Sequence, residues 1–397
     1  MKKFDYDVCI IGGAGHVGLP LGITFADVGF RTLLIDLDPQ KLASINQGKM
    51  PFIEYGAEPV LKRVLKSGRL KGSTSKSDVA RAKFVITTIG TPIDQYLNPS
   101  TKVFLQTMGS FKPYLSPEQV IIIRSTVFPN TCAHFLDYLN KGQKSGFHVA
   151  YCPERIAEGY AIKELRELPQ IVSGFSPRAI AESKKLFSAL TKQIIELSVR
   201  EAELAKLFTN AWRYIQFAVS NQFYMIAQSY DTSYDKIRNA MTQNYRRIGF
   251  LPGAGFAAGP CLLKDTMQLA SFYNNHFFIG QSAMMINEGL PNFVIDNLAR
   301  KVDLKDKKVG ILGMTFKSEI DDIRDSLSFK LVKLLQFHGA EVLCSDEYAS
   351  DAKFVPKETI QKECKIVVIG VPHKAYRGLK FKKGTEVVDL WGVVNKK

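Results

Sequence analysis

Gly13-Ala14-Gly15-His16-Val17-Gly18 follows directly on the apolar run Val8-Cys9-Ile10-Ile11, and no other feature narrows the fold as far. A buried strand that ends in G-x-G-x-x-G and opens a helix begins a β-α-β unit, because each glycine meets a separate steric demand. Gly13 allows the tight turn, Gly15 lets backbone approach a pyrophosphate, and Gly18 lets the helix pack closely on the sheet. His16 and Val17 lie in the same turn, where free helix N–H groups face an anion. Arg31-Thr32-Leu33-Leu34-Ile35-Asp36 reads as the next strand, and Asp36 stands 18 residues after Gly18. An acid there takes ribose hydroxyls and repels a 2′-phosphate, so the expected ligand is NAD rather than NADP.

The same alternation continues. Phe84–Thr88, Val120–Ile123 and His148–Tyr151 are further apolar strands, and strands alternating with helices predict a parallel sheet covered on both faces. At Ser198 the period changes. Ser198 and Glu201 form an S-x-x-E capping box, and Leu204, Leu207, Phe208, Ala211, Ile215, Ala218, Val219 and Ile226 recur at helical spacing. The helix is predicted to run to about Gln228, with Leu204, Leu207, Phe208 and Ile215 packing on their own chain. Phe217, Phe223 and Tyr224 then point toward another surface. Near residue 307 the strand pattern restarts at Lys308–Gly313, followed by a helix through Leu334 and strands at Ala340–Cys344, Ile366–Gly370 and Glu386–Leu390. Gly313-Met314-Thr315-Phe316 stands where the glycine fingerprint would be. The expected fold is α/β in three parts: a cofactor domain over 1–197, a central helical domain over 198–300 and a smaller α/β domain over 301–397.

Composition removes several classes of function. No apolar stretch reaches the roughly 18–20 residues that a membrane span needs. The segment from Met1 to Asp7 turns acidic and lacks a signal region, so a cytoplasmic protein is expected. None of the six cysteines forms C-x-x-C and none of the six histidines forms H-x-x-x-H, so no metal site is expected. The net charge of +15 is spread in short groups such as Lys305–Lys308 without a nucleic-acid module, so no nucleic-acid partner is expected.

Cys261, in Gly259-Pro260-Cys261-Leu262-Leu263-Lys264-Asp265, sits in a glycine-rich loop with a cation close behind in sequence. A nearby cation raises the thiolate fraction. A thiolate that adds to an aldehyde gives a thiohemiacetal, which loses a second hydride to become a thioester, and water then releases an acid. Joined to a nicotinamide cofactor, such a cysteine points to oxidation by four electrons. Lys206 and Asn210 share one helix face at i, i+4. An ammonium and an amide donor there stabilise a developing alkoxide, though a lysine beside an apolar stripe also extends readily to solvent. Glu154 and Glu158 follow a strand end, where open α/β sheets place ligands, and Ser125-Thr126-Val127 closes the preceding strand.

In this order the motifs resemble the UDP-glucose/GDP-mannose dehydrogenase family of nucleotide-sugar 6-dehydrogenases over nearly the whole chain. The resemblance rests on Gly13-x-Gly15-x-x-Gly18-Leu19-Pro20, Gly90-Thr91-Pro92, Ser125-Thr126-Val127, Lys206-x-x-x-Asn210 and the Gly259–Asp265 loop. It also covers Phe316-Lys317 with Asp321-Asp322-Ile323-Arg324-Asp325-Ser326. It implies a Rossmann-type NAD domain, a central long-helix dimerisation domain and a Rossmann-like UDP-binding domain. It further implies Cys261 as nucleophile, Lys206 and Asn210 at the oxyanion, Asp265 on water, and Thr126 and Glu158 assisting. On the cofactor side it implies Gly13, Gly15, His16, Val17, Gly18, Asp36, Thr91 and Thr126. Glu154, Arg155, Lys206, Asn210 and Gly259 would serve the sugar, Lys317 and Arg324 the nucleotide, and Arg247 a neighbouring site across a homodimer.

Three departures from the family pattern stand out. Cys152-Pro153-Glu154-Arg155 replaces the N-P-E-F of glucose- and mannose-specific members and looks like the branch acting on UDP-N-acetylhexosamines. Ala257-Ala258-Gly259-Pro260 departs from F-G-G before the cysteine, and Asp389-Leu390-Trp391-Gly392 lacks an arginine that many relatives carry. The expected reaction is C6 oxidation of a UDP-N-acetylhexosamine, foremost UDP-N-acetyl-D-mannosamine, in synthesis of a surface-polysaccharide precursor. UDP-glucose is the alternative substrate. A two-electron β-hydroxyacid dehydrogenase, needing neither Cys261 nor a second nucleotide domain, and an NAD-binding redox sensor stand further off.

Overall fold

The apolar runs pair in parallel, and their side chains divide by period two between the faces of one sheet. Val8 and Ile10 join one buried cluster with Phe84, Ile86, Val120 and Ile122. Cys9 and Ile11 join the other with Val85, Ile121 and Ile123. A strand buried on both faces has no polar side to show, which is why these runs carry no alternation. The computed structural model describes residues 4–91, 101–142 and 146–394. Its backbone separates into two units, Met1–Phe208 and Thr209–Lys397.

The first unit opens with β1 (Tyr6–Ile11), α1 (Gly18–Asp27), β2 (Thr32–Ile35), α2 (Pro39–Asn46), α3 (Ala57–Lys66), β3 (Leu70–Ser73) and β4 (Ala82–Thr87). It continues through α4 (Thr101–Gly109), β5 (Val120–Ile123), α5 (Thr131–Asn140), β6 (His148–Tyr151), α6 (Ala161–Glu167), β7 (Gln170–Gly174), α7 (Pro177–Phe187) and β8 (Ile194–Glu196). The strand order is β3-β2-β1-β4-β5-β6-β7-β8, parallel throughout except where β6 meets β7. Chain order reverses between β1 and β4. The loops leaving those two strands therefore diverge and open a crevice at their carboxyl ends, where this architecture receives ligands.

β3, β7 and β8 escape the sequence reading for a shared reason. β3 and β8 are the sheet edges, so Lys71, Ile195 and Glu196 remain exposed and no buried run announces a strand. β7 has only Ile171 and Val172 between polar neighbours.

α8 (Val199–Ser229) starts where the capping box predicts. Ser198 Oγ accepts from the Glu201 N–H at 3.3 Å, and the Glu201 carboxylate accepts from the Ser198 N–H at 2.8 Å. The expected division of its faces needs correction. Phe208 is 54% exposed rather than packed, and with Trp212, Val219, Phe223 and Ile226 it forms an exposed apolar stripe. Phe217 packs beside Tyr214 and Ala218, and Tyr224 packs edge-on to Phe293, so both point inward. Residues at i, i+4, i+11, i+15 and i+18 share one face, which places Phe208 with the exposed group.

α9 (Tyr234–Thr242), α10 (Leu262–Phe272) and α11 (Phe278–Lys301) follow. The second sheet then forms from β9 (Lys308–Leu312), α12 (Ser328–Phe337), β10 (Glu341–Ser345), α13 (Lys357–Glu363), β11 (Ile366–Ile369) and β12 (Glu386–Val388). The order is β10-β9-β11-β12, all parallel. The predicted helix through Leu334 begins only at Ser328. A long loop first returns from β9, fixed by the groups described below. No helix among the described residues is long and apolar enough to cross a membrane.

Candidate active site

At the crevice of the first unit, a Cβ on Gly18 would lie 2.2 Å from the Gly12 carbonyl oxygen, and one on Gly13 would lie 2.7 Å from Leu34 Cβ. Both positions are packed shut. A Cβ on Gly15 would meet nothing closer than 3.5 Å, so this backbone faces open space at the start of α1. Asp36 closes the turn: its Oδ2 accepts from the Ala14 N–H at 2.9 Å and its Oδ1 from the Asp38 N–H at 3.1 Å. Bare backbone at a helix start, with a carboxylate one residue past β2, suits the pyrophosphate and ribose of a dinucleotide.

The neighbouring loops are tied to this turn. His16 stacks on Phe52 with centroids 4.1 Å apart. Thr88 Oγ1 donates to the Ile11 and Gly12 carbonyls at 3.0 and 3.1 Å. Thr91 Oγ1 donates to the Thr126 carbonyl at 2.5 Å, joining the loops after β4 and β5. Pro92 lies outside the described residues.

The loop after β6 is held by carboxylates. Glu154 pairs with the buried Arg124, whose Nε donates at 2.6 Å, and accepts from the Arg155 and Ile156 N–H groups at 2.6 and 2.9 Å. The Ala157 N–H donates to Glu164 at 2.6 Å, and the Gly159 N–H to Glu54 at 3.1 Å. Arg124 also donates to Gln170 at 2.9 Å and lies over the Phe187 ring. Arg155 donates to the Pro169 carbonyl. Of the Cys152–Arg155 motif, then, Cys152 is buried and Glu154 is engaged with Arg124. Sequence reasoning missed Arg124. Its signal was an arginine ending an otherwise apolar strand.

In the second unit, Cys261 is the exposed cysteine, and the other five are buried or half-buried. Burial pushes the Cys152 thiol up to about 12 and those of Cys344 and Cys364 to about 11. Burial likewise raises Cys9 and Cys132. Those five stay protonated near neutrality. Cys261 instead occupies the N-cap position of α10. The Lys264 ammonium donates to Asp265 Oδ1 at 2.5 Å, a partner for a carboxylate that is fully buried.

Asp265 Oδ2 accepts from Asn210 Nδ2 at 2.6 Å. Lys206, also buried, lies one turn before Asn210 on α8. The loop ahead of Cys261 is shaped by aromatic rings. Gly259 has φ +99°, and a Cβ there would lie 2.5 Å from Phe316; its N–H donates to the Asp325 carbonyl at 3.2 Å. A Cβ on Gly255 would fall 1.9 Å from the Trp391 ring. Arg247 is exposed on the segment after α9.

The loop from Gly313 to Leu327 carries Lys317, half-buried, and Arg324, paired in fork geometry with Asp322 at 2.9 Å. Behind it lies a buried network the sequence reading did not find. Asp346, one residue past β10, accepts from the Met314 N–H at 2.6 Å and from His373 Nε2 at 3.2 Å. His373 Nδ1 accepts from the N–H of Glu319, a residue held at φ +64°. Burial alone would push Asp346 up, but the His373 and backbone hydrogen bonds reverse this and hold it at about 2.

Comparison with known proteins places these features in one family. The UDP-glucose/GDP-mannose dehydrogenase family matches through its NAD binding domain over residues 6–191, its central domain over 200–288 and its UDP binding domain over 310–396. The UDP-N-acetyl-D-mannosamine dehydrogenase of Methanocaldococcus jannaschii is 28% identical over 386 residues, 93% of this chain and 86% of that protein. The UDP-glucose 6-dehydrogenase of Rickettsia felis is 28% identical over 336 residues, 81% of this chain and 74% of that protein. Among solved structures, the UDP-D-ManNAc dehydrogenase of Pyrococcus horikoshii superposes with a TM-score of 0.87 at 26% identity, covering 94% of this chain and 91% of that one.

Proposed function

The chain belongs to the UDP-glucose/GDP-mannose dehydrogenase family and is an NAD-dependent UDP-sugar dehydrogenase, and from that premise we propose that it carries C6 of a UDP-N-acetylhexosamine from alcohol to carboxylate. The carrying observation is Cys261, exposed at the start of α10 while every other cysteine is buried or half-buried. An enzyme that stopped at the aldehyde would need no such thiol.

NAD supplies the hydride acceptor in both oxidations. The residues of the chain do the rest. Asn210 and Lys206 would hold the C6 oxygen as its charge develops. The Cys261 thiolate would add to the aldehyde carbon, forming a C–S bond and placing the negative charge on that oxygen. Collapse of this thiohemiacetal expels the second hydride and leaves a thioester. Asp265, kept in place by Asn210 and Lys264, would orient the water that cleaves the C–S bond and returns the thiol, with Thr126 and Glu158 assisting. One alcohol, two NAD and one water thus give one carboxylate, two NADH and three protons.

UDP-N-acetyl-D-mannosamine is the foremost substrate. The Cys152–Arg155 motif and the relatives named for that sugar support it. Because Glu154 is engaged with Arg124, the motif would act through the shape of its loop and through Arg155. Lys317 and Arg324 would read the nucleotide. The division into 1–197, 198–300 and 301–397 goes with these roles. We further propose a homodimer through the exposed α8 stripe, with Arg247 serving the neighbouring site. A cytoplasmic location is supported by the absence of disulfides among its cysteines. An activated uronic acid is a building block for surface polysaccharide, which gives the product its expected use.

The test is the NADH yield per acid formed, measured across UDP-N-acetylmannosamine, UDP-N-acetylglucosamine, UDP-N-acetylgalactosamine and UDP-glucose. Two NADH per acid with N-acetylmannosamine preferred is the expected result. A yield of one overturns the four-electron reading, and preference for UDP-glucose overturns the substrate. Sedimentation at micromolar concentration tests the dimer, which a fully active monomer would exclude.

A further inference from the structure

Between α2 and α3 the chain runs as an irregular segment, residues 50–56. Two of its side chains are buried although no regular element holds them: Phe52 is 8% and Glu54 7% exposed. They face two different loops. Phe52 lies against the His16 ring with an interplanar angle of 25°. Glu54 accepts from the Gly159 N–H at 3.1 Å and from the Ile162 N–H at 3.3 Å, on either side of the entry to α6. The segment is pinned further where the Tyr55 N–H donates to the Gly159 carbonyl at 3.0 Å and the Tyr55 and Tyr160 rings meet at 5.5 Å.

We propose that Phe52 and Glu54 are positioning residues, Phe52 seating His16 in the cofactor turn and Glu54 holding the loop that carries Glu158. A carboxylate taken out of water is costly unless charge-assisted hydrogen bonds compensate, so Glu54 is an expensive choice for filling space. The other carboxylates that bond N–H groups of this loop, Glu154 and Glu164, belong to the loop or to the helix it enters. They shape it locally. Glu54 reaches it from a separate part of the chain and fixes where it stands relative to the sheet edge. His16 lies inside the glycine turn, and its ring stacks on Phe52, which is delivered from the same segment. One segment thus sets both a cofactor loop and a sugar loop, and the proposal rests on the reading of those loops given above.

The experiment uses the full chain and the variants Phe52→Leu, Glu54→Gln and Glu54→Asp. It measures NAD binding by calorimetry without sugar, steady-state constants with the UDP-sugar that the wild type oxidises best, and Tm. Phe52→Leu keeps the apolar volume and loses the stacked ring. NAD binding should weaken about three- to tenfold while the sugar KM stays within about twofold. Glu54→Gln should lower kcat/KM for the sugar about tenfold or more, with NAD binding within about twofold. Glu54→Asp retains the charge on a shorter stem and should show the same pattern at smaller size, which carries the test if the glutamine variant fails to fold.

Variants that lower only Tm, with every binding and rate constant within about twofold, would reduce the segment to packing and overturn the proposal. So would an effect of Phe52→Leu on the sugar equal to its effect on NAD. The Phe52 arm needs no sugar, so it stands or falls even if the chain oxidises none of the UDP-sugars offered.

Discussion

After β1, Gly12 takes φ +79° and its N–H reaches the Ile35 carbonyl at 2.9 Å; after β9, Gly313 takes φ +98° and reaches the Ser345 carbonyl at 2.8 Å. Asp36 and Asp346 each stand one residue past the neighbouring strand, and each accepts an N–H from the turn, Ala14 at 2.9 Å and Met314 at 2.6 Å. From there the two turns part. In the first unit the helix begins at Gly18, with no room for a side chain against the Gly12 carbonyl. In the second it begins at Ser328, whose Oγ donates to the Gly313 carbonyl at 2.8 Å, and a long loop fills the gap. Asp346 is consumed by His373 and four backbone N–H groups. A pyrophosphate needs bare backbone at a helix start, whereas a side-chain-built site needs a loop stiff enough to aim lysine and arginine. The same starting turn suits either, and its acid is drawn further into internal hydrogen bonds in the second unit than in the first.

If the second unit supplies the covalent nucleophile and the first the cofactor seat, Cys261→Ser should cut acid formation about a hundredfold or more, since a hydroxyl adds poorly to the aldehyde. NAD affinity should be unchanged, and mass spectrometry should find slow aldehyde release or a trapped adduct. Wild-type turnover would break the division.

Gly18→Ala forces a methyl against backbone and should cost about 1–3 kcal/mol of stability. It should also weaken NAD binding about tenfold. Calorimetry that finds NAD binding intact would show the turn is not the cofactor seat.

The two acids make the most direct contrast. Asp36→Ala should raise the NADP-to-NAD ratio of kcat/KM on the order of tenfold, and Asp346→Asn should leave that ratio alone. A shift with Asp346→Asn would mean both acids meet cofactor.

Asp346→Asn should instead act on stability, by on the order of 2 kcal/mol, since the carboxyl lies at about 2 in the fold against 3.8 for the free group. A depressed carboxyl stabilises the fold above pH 4 and loses that contribution as pH falls from about 4 toward 2. Urea unfolding at pH 7 and at pH 3 should therefore show a gap between wild type and variant that narrows with acid. A gap that widens would refute the brace.

The sheet strands that run between buried neighbours were legible because burial on both faces writes itself as an unbroken apolar run. β3 and β8 were not, because an edge strand is free to be polar. The capping box of α8 was legible because its two bonds are local. The exposure of Phe208 was not, since periodicity reports that residues share a face but not which face is covered. The candidate site divides in the same way. Cys261 and Asp265 could be found by residue type and spacing, yet the turn of Lys264 onto Asp265 depends on which carboxylate is buried. Asp346 was not legible because its partner His373 stands 27 residues away in sequence, beyond any local pattern.

The indole of Trp391 fills the space where any side chain at Gly255 would begin. Residue 255 is thus barred twice, once by the ring and once by its own backbone at φ +159°. Trimming Trp391 removes only the first bar and leaves a void that no side chain at 255 fills without strain. The two positions are therefore not interchangeable partners: the tryptophan can be lost at the cost of a cavity, while the glycine should persist with or without it.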